Sequence, residues 1–106
     1  MNCLPDECTL TWLSSWYRQQ CDGDWEHEGG VRVTTLDNPG WALDVDLANT
    51  KWVNCAVPPR LSERNEQDWV FVEVKDGLCR GRGGPENLTE MIALFRGFIE
   101  ENQDGI

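Results

Sequence analysis

The chain has 106 residues and a formal net charge of −10, from 19 acidic and 9 basic side chains. A surface this acidic argues against binding nucleic acid backbones or an anionic membrane face, and it favours a basic partner. The length predicts one domain, residues 1–106, with a core of its own. Hydrophobic residues make up 40% of the chain and six residues are tryptophan, which argues against disorder.

The N-terminal residues carry neither the basic nor the apolar segment of an export signal. No apolar run approaches the roughly 20 residues that a membrane-spanning helix needs. The five cysteines are scattered and form no Cys-x-x-Cys pair: Cys3, Cys8, Cys21, Cys55 and Cys79. We therefore expect reduced thiols in a cytoplasmic protein.

The first apolar pattern has the period of a helix. Leu10, Leu13 and Trp16 share one face, which predicts a helix over about Thr9–Gln20 that ends before Asp22-Gly23.

The pattern then alternates with a period of two, which is typical of strands. Two strands are predicted, Gly30–Leu36 and Trp41–Leu47, joined by a turn. An odd loop of three or five residues, with Val33 opposite Val45, brings the apolar side chains together and sets opposite charges against each other. We expect this register for the hairpin.

The second half of the chain predicts further strands. Trp52–Val57 and Arg60–Gln67 are both possible, and Pro58-Pro59 ends the first or confines it to a sheet edge. Trp69–Lys75 is the clearest strand. Its apolar residues lie on both faces, which predicts an internal position in the sheet. A tight turn leads from it into Leu78–Arg82.

A second helix begins near Asn87, which is spaced from Glu90 as in a capping box. An apolar stripe runs along this helix from Leu88 to Ile99. The predicted fold class is therefore α+β: an antiparallel sheet of about four to five strands, with an N-terminal and a C-terminal helix packed against one face.

Four acidic residues alternate along one segment after the first helix: Asp22, Asp24, Glu26 and Glu28. Their spacing imitates the start of an EF-hand loop, but His27 stands where that loop needs glycine and Val33 where it needs glutamate. We expect no metal and no cofactor. In an extended segment Asp24, Glu26 and Glu28 would share one face. Trp25 between them is either an exposed interface anchor or a buried side chain, and both readings stay open.

Thiol chemistry is the enzymatic alternative. Cys79 precedes a glycine-rich stretch and a helix, an order similar to the anion-cradling loops of sulfurtransferases and phosphatases. The arginine that a phosphatase loop needs six residues later is replaced by Pro85. Cys21 and His27 could pair as nucleophile and base, but nothing in the sequence supplies an oxyanion hole. We expect no catalytic residue.

Several of these stretches together resemble the immunity protein 53 family of bacterial polymorphic toxin systems. The resemblance runs from about residue 9 to 99 and rests on Trp12-Leu13, Trp16-Tyr17, Cys21–His27, Leu36–Trp41, Asp68-Trp69, Gly83–Pro85 and Asn87-Leu88. It implies a small α+β protein that stays in the producing cell and neutralises a cognate toxin by binding it. The resemblance carries over no toxin-contacting residues.

The charge pattern suggests how such a toxin would be bound. A basic toxin, such as a nuclease-type domain, would suit an acidic surface that steers association and covers the toxin's site. The candidate contacts are Asp22, Asp24, Trp25, Glu26, Glu28, Asp44 and Asp46. Two alternatives remain: a small sulfurtransferase-like enzyme that uses Cys79, and an acidic nucleic-acid mimic that inhibits a DNA-binding protein.

Overall fold

A computed structural model describes residues 5–102, with side chains from residue 9 onwards. Cys3 and the side chain of Cys8 therefore lie outside the described part. The elements, in chain order, are α1 (Pro5–Gln20), α2 (Trp25–Glu28), β1 (Val31–Leu36), β2 (Gly40–Asp46), β3 (Val57–Asn65), β4 (Asp68–Lys75), β5 (Leu78–Gly83) and α3 (Leu88–Glu101).

The five strands form one antiparallel sheet in the order β1-β2-β5-β4-β3. The helices α1 and α3 pack against each other, and α3 lies on β2, β4 and β5. The α+β fold, with an N-terminal and a C-terminal helix on an antiparallel sheet, is confirmed. The central strand is β5, which is last in sequence, and β4 is internal beside it.

Glycines let α3 lie close to the central strand. A Cβ atom on Gly81 would meet the sulfur of Met91 at 2.8 Å, and one on Gly83 would meet the terminal methyl of Met91 at 2.8 Å. Val70 and Val74 of β4 share this helix-facing side and are buried. Gly81 and Gly83 thus lie within β5, where they shape the contact between sheet and helix.

The β1–β2 hairpin has an odd loop of three residues, 37–39, as predicted. Its register differs from the expected one by two residues, since Val33 faces Leu43 and Val31 faces Val45. A shift of two residues keeps every side chain on the same face of the sheet. The alternation of apolar and polar residues therefore predicted the correct face for each side chain, but it could not distinguish between these two registers.

The strand expected over Trp52–Val57 is absent from the described chain except at its last residue. Residues 48–54 form turns, and Trp52 is buried among them. Strand β3 instead runs from Val57 to Asn65 at the sheet edge, with a register shift between Val57 and Arg60 that contains Pro58-Pro59. The edge position is the one expected, because a proline cannot donate to a neighbouring strand.

One of the tryptophans lies outside the hydrophobic core. Trp69 alternates with the helix-facing Val70, so it is on the opposite, helix-free face of the sheet, where it is half-buried. This face also carries Leu61, Phe71, Glu73, Arg80 and Arg82.

The first turn of α3 begins after Asn87, as the sequence predicts, but the expected capping box does not form. The Asn87 side chain caps no backbone group of the helix. Its Nδ2 donates to Asp68 at 2.9 Å and to Glu90 at 3.0 Å. Arg64 of β3 donates to the same two carboxylates, at 2.7 Å and 2.6 Å. This polar cluster ties the helix start to two strands.

Candidate functional site

The four alternating acids lie on a tight turn between α1 and β1, which we call the acidic turn (residues 22–28). Residues 25–28 form one helical turn, α2. The segment is therefore not extended, and the arrangement in which Asp24, Glu26 and Glu28 share one strand face does not arise. The helical turn forms because carboxylates of this segment capture its own free backbone N–H groups.

Two of the four carboxylates are engaged inside the acidic turn. Glu26 accepts hydrogen bonds from the backbone N–H groups of Asp22, at 2.9 Å, and Gly23, at 2.8 Å. Asp22 accepts from those of Asp24 and Trp25, both at 2.9 Å. Hydrogen bonds to the ionised form lower both pKa values: those from Trp25 and Asp24 lower the pKa of Asp22, and those from the backbone of Glu26 itself, then Asp22 and Gly23, lower the pKa of Glu26. Both carboxylates hold the shape of the turn.

The other two carboxylates of the turn point to solvent. Asp24 and Glu28 are exposed. Within residues 5–102 neither side chain forms an ion pair. The turn therefore presents two solvated negative charges on a backbone that its own hydrogen bonds have ordered.

Trp25 is buried, with only 1% of its surface exposed. Its ring packs edge-on against Trp16, with centroids 5.8 Å apart, and contacts Tyr17 at 5.5 Å. Its indole N–H donates to the main-chain oxygen of Asp46 at 2.7 Å. Of the two readings, the structure supports the buried side chain and not the exposed interface anchor: the large apolar ring packs in the core, and its single polar atom finds an acceptor there.

Asp46 lies beside the acidic turn although it follows some 20 residues later in the chain. Its side chain packs against Gly29, where a Cβ atom would clash with it. Its Oδ1 accepts from the backbone N–H of Ala48 at 2.9 Å. Asp46 is half-buried, so it adds negative charge at the border of the turn.

Asp44 belongs to a different environment. It lies on the helix-free face of the sheet and forms a 2.9 Å ion pair with Arg82. Arg32 and Arg80 stand opposite it in the two neighbouring strands. The charge of Asp44 is thus compensated by nearby bases. The alternation of Arg80 and Arg82 matches that of Asp44 and Asp46 and could have signalled the pairing of β2 with β5, which the sequence reasoning missed.

The candidate thiol enzyme has no physical support at Cys79. This residue lies in β5, not in a loop, and is 2% exposed. Burial, followed by the charge of Asp44, raises the pKa of Cys79 to about 12. A nucleophilic cysteine needs the opposite, an accessible thiol with a lowered pKa.

Other chemistry is equally unsupported in the described residues. The Cys21 thiol donates to the carbonyl of Tyr17 at 3.3 Å and so engages its own helix. No group of three or more histidine, cysteine or acidic side chains there could hold a metal ion. The site therefore consists of exposed carboxylates on a turn that its own hydrogen bonds hold in place.

The sequence model of a family described as Immunity protein 53 matches residues 10–100. The chain belongs to this family. The resemblance noted from the sequence is thereby confirmed, and it supports an immunity function for the chain. No curated protein matches the chain, and no solved structure does.

The family match extends over the structural features described above. In this immunity protein 53 member, residues 10–100 span most of α1, the acidic turn, all five strands and nearly all of α3. Family membership implies a cognate toxin as the partner. Among residues 5–102 there is no helix with the length and apolar character needed to cross a membrane.

Proposed function

We propose that this protein is a single-domain, non-enzymatic inhibitor that binds a cognate toxin one to one in the cytoplasm of the producing cell. The contact is made through the acidic turn. The observation that supports this proposal is the pair of exposed carboxylates, Asp24 and Glu28, on a turn whose backbone is held by Asp22 and Glu26. Family membership supplies the class of partner.

A preordered charged turn suits this role for a physical reason. Ordering a loop at the moment of binding costs free energy. The internal hydrogen bonds of the acidic turn order it already in the free protein, so binding does not include that cost. The Trp25 contact with Asp46 anchors the turn to the sheet, so the two free carboxylates keep a defined position.

The partner that fits is a toxin domain with a basic surface, such as a nuclease-type domain. Complementary charge speeds association and orients the two proteins before contact. A net charge of −10 acts in the same direction at longer range and disfavours nucleic acid and anionic membranes as partners of this chain.

The test is a double charge reversal, Asp24→Lys with Glu28→Lys, measured against the toxin domain encoded beside the gene. We expect the association rate at low salt to fall at least about tenfold, and the salt dependence of the rate to flatten, because steering is lost. Protection of cells that express the toxin should fall with it. The wild-type complex should have a stoichiometry of one to one by calorimetry.

The matched control is Glu66→Lys with Glu86→Lys, which makes the same change in net charge at two exposed sites without ion pairs in residues 5–102. This control should lose much less than the variant of the acidic turn. If both double variants lose the same association rate and protection, the effect comes from net charge alone, and the acidic turn is not the contact. Equally tight binding of an unrelated basic protein would favour a nucleic-acid mimic instead.

A further inference from the structure

A cavity of about 540 Å³ opens between α1, the turn at residues 49–52 and α3. Three tryptophans line it together with polar side chains of α1 and the turn. The main lining residues are Trp12, Trp16, Gln19, Asn49, Lys51 and Trp52. It lies apart from the charged residues of the acidic turn, none of which lines it.

Two of the tryptophans that line this cavity have an indole N–H without an acceptor in the described part of the chain. Trp16 and Trp52 are 3% and 4% exposed, and within the described residues neither Nε1 has a hydrogen-bond partner. Their rings contact each other, with centroids 5.8 Å apart. By contrast, Trp25 and Trp41 donate to the main-chain oxygens of Asp46 and Pro85. Buried polar groups in folded proteins are nearly always paired, so two unpaired donors in neighbouring side chains that line one cavity call for an explanation.

The charge of the lining points to the kind of acceptor. Among the residues whose side chains the structure describes, no acidic one lines the cavity. The charged side chain there is Lys51, whose Nζ lies 5.1 Å from the centroid of the Trp52 ring. Donors, an ammonium group and an absence of competing carboxylates favour an anionic oxygen ligand, since charge-assisted hydrogen bonds are the strong ones.

We propose that this cavity receives an aspartate or glutamate side chain of the bound toxin, whose carboxylate accepts from the indole N–H groups of Trp16 and Trp52 beside Lys51. This inference rests on the proposed function and adds a second contact to it. Both nitrogen atoms are shielded in the free chain, so the rings must turn slightly to admit the carboxylate.

The two contacts would divide the work of recognition. The acidic turn attracts any basic surface. The cavity adds affinity only for a partner that inserts a hydrogen-bond acceptor into it. A toxin without that acceptor leaves the donors unpaired and so loses affinity. The cavity would then supply selectivity that net charge cannot.

The first test is nuclear magnetic resonance of the indole N–H signals in the full chain, free and saturated with the toxin domain encoded beside the gene. The signals of Trp16 and Trp52 should move downfield and exchange more slowly in the complex. Those of Trp25 and Trp41 serve as internal references, because their N–H groups already have acceptors. A complex in which the first two signals stay unchanged overturns the proposal.

The second test is Lys51→Glu, which alters an exposed side chain and leaves the core intact. We expect the dissociation constant for the toxin domain to rise at least about tenfold, mainly through faster dissociation. Lys75→Glu is the matched control, with the same charge change at an exposed site outside the cavity. Equal effects of the two variants overturn the cavity contact while the acidic turn stands. Failure of the wild-type chain to bind the toxin at all overturns both proposals.

Discussion

The indole nitrogen of Trp25 donates a 2.7 Å hydrogen bond to the main-chain oxygen of Asp46. This bond joins the acidic turn to the end of β2. Trp25 was a candidate contact residue in the sequence. In the structure it lies in the core, where it holds the turn that carries the solvent-facing carboxylates. Stability of the fold and presentation of the acidic turn are therefore coupled through one side chain.

Replacement of Trp25 should be costly. Trp25→Ala removes a fully buried ring and leaves the Asp46 oxygen without its donor, so we expect the free energy of unfolding to fall by about 3–5 kcal/mol. Urea denaturation followed by circular dichroism measures it. Leu61→Ala, at a side chain that is 61% exposed, should change it by less than about 0.5 kcal/mol. Comparable values for the two variants would contradict the burial of Trp25.

Two glycines near the start of α3 should differ in their tolerance of a methyl group. A Cβ on Gly84 would collide with the main-chain oxygen of Gln67, whereas one on Gly81 would meet the flexible side chain of Met91. We therefore expect Gly84→Ala to cost about 1–3 kcal/mol and Gly81→Ala to cost less. Thermal unfolding of both variants tests this order, and a reversed order would show that the strand end can shift away from Gln67.

Acid should weaken the cluster that ties α3 to the sheet. Hydrogen bonds from Arg64, then Asn87, lower the pKa of Asp68 from 3.8 to about 2. A carboxyl whose pKa is lower in the folded state adds stability above its unfolded pKa and loses that stability as the pH falls through the folded value. The melting temperature should therefore drop as the pH falls from about 4 towards 2.

A variant isolates this contribution. Asp68→Asn should melt lower than the wild type near neutral pH and should lose less on acidification, because it no longer has that proton to bind. Glu66→Gln, at an exposed side chain with no ion pair in the described chain, should keep the wild-type slope. Parallel curves for Asp68→Asn and the wild type would rule out this cause of acid sensitivity.

The Cys79 thiol should be inert while the protein is folded. Its burial and its pKa of about 12 predict that iodoacetamide modifies it much more slowly than the partly exposed Cys21, and that urea removes the difference. Peptide mass spectrometry after a short exposure measures both sites in one sample. Equal labelling of the two cysteines in the folded chain would be the opposite result.

The same residue separates binding from thiol catalysis. Cys79→Ala should protect cells from the toxin as well as the wild type does, once expression levels are matched. Loss of protection by a variant that is still folded would revive the thiol enzyme. Circular dichroism of the purified variant supplies the necessary check on folding.

The helices and the clearest strands could be predicted because their signals are local. The apolar face of α1 and the stripe of α3 repeat with the helical period, and Trp69–Lys75 alternates with the period of a strand. Pro58-Pro59 correctly indicated an edge, because missing N–H groups exclude an interior strand. The acids of the candidate site were equally visible in the sequence, as were the stretches that resemble the family.

Other features depended on contacts between distant parts of the chain. The hairpin register was expected two residues away from the observed one, since both registers bury the same faces. The pairing of Asp44 with Arg82 needs β5 beside β2, although more than 30 residues separate these two strands along the chain.

By itself, then, the sequence determined the fold class, the family and the acidic character of the protein, because periodicity, motifs and charge are properties of the chain. Only the tertiary structure decided which of the candidate acids are already engaged within the fold. Hydrogen bonds engage Asp22 and Glu26, Arg82 compensates Asp44, and the core takes Trp25, which leaves Asp24 and Glu28 exposed. The availability of a charge depends on what folds beside it, and spacing along the chain does not record that.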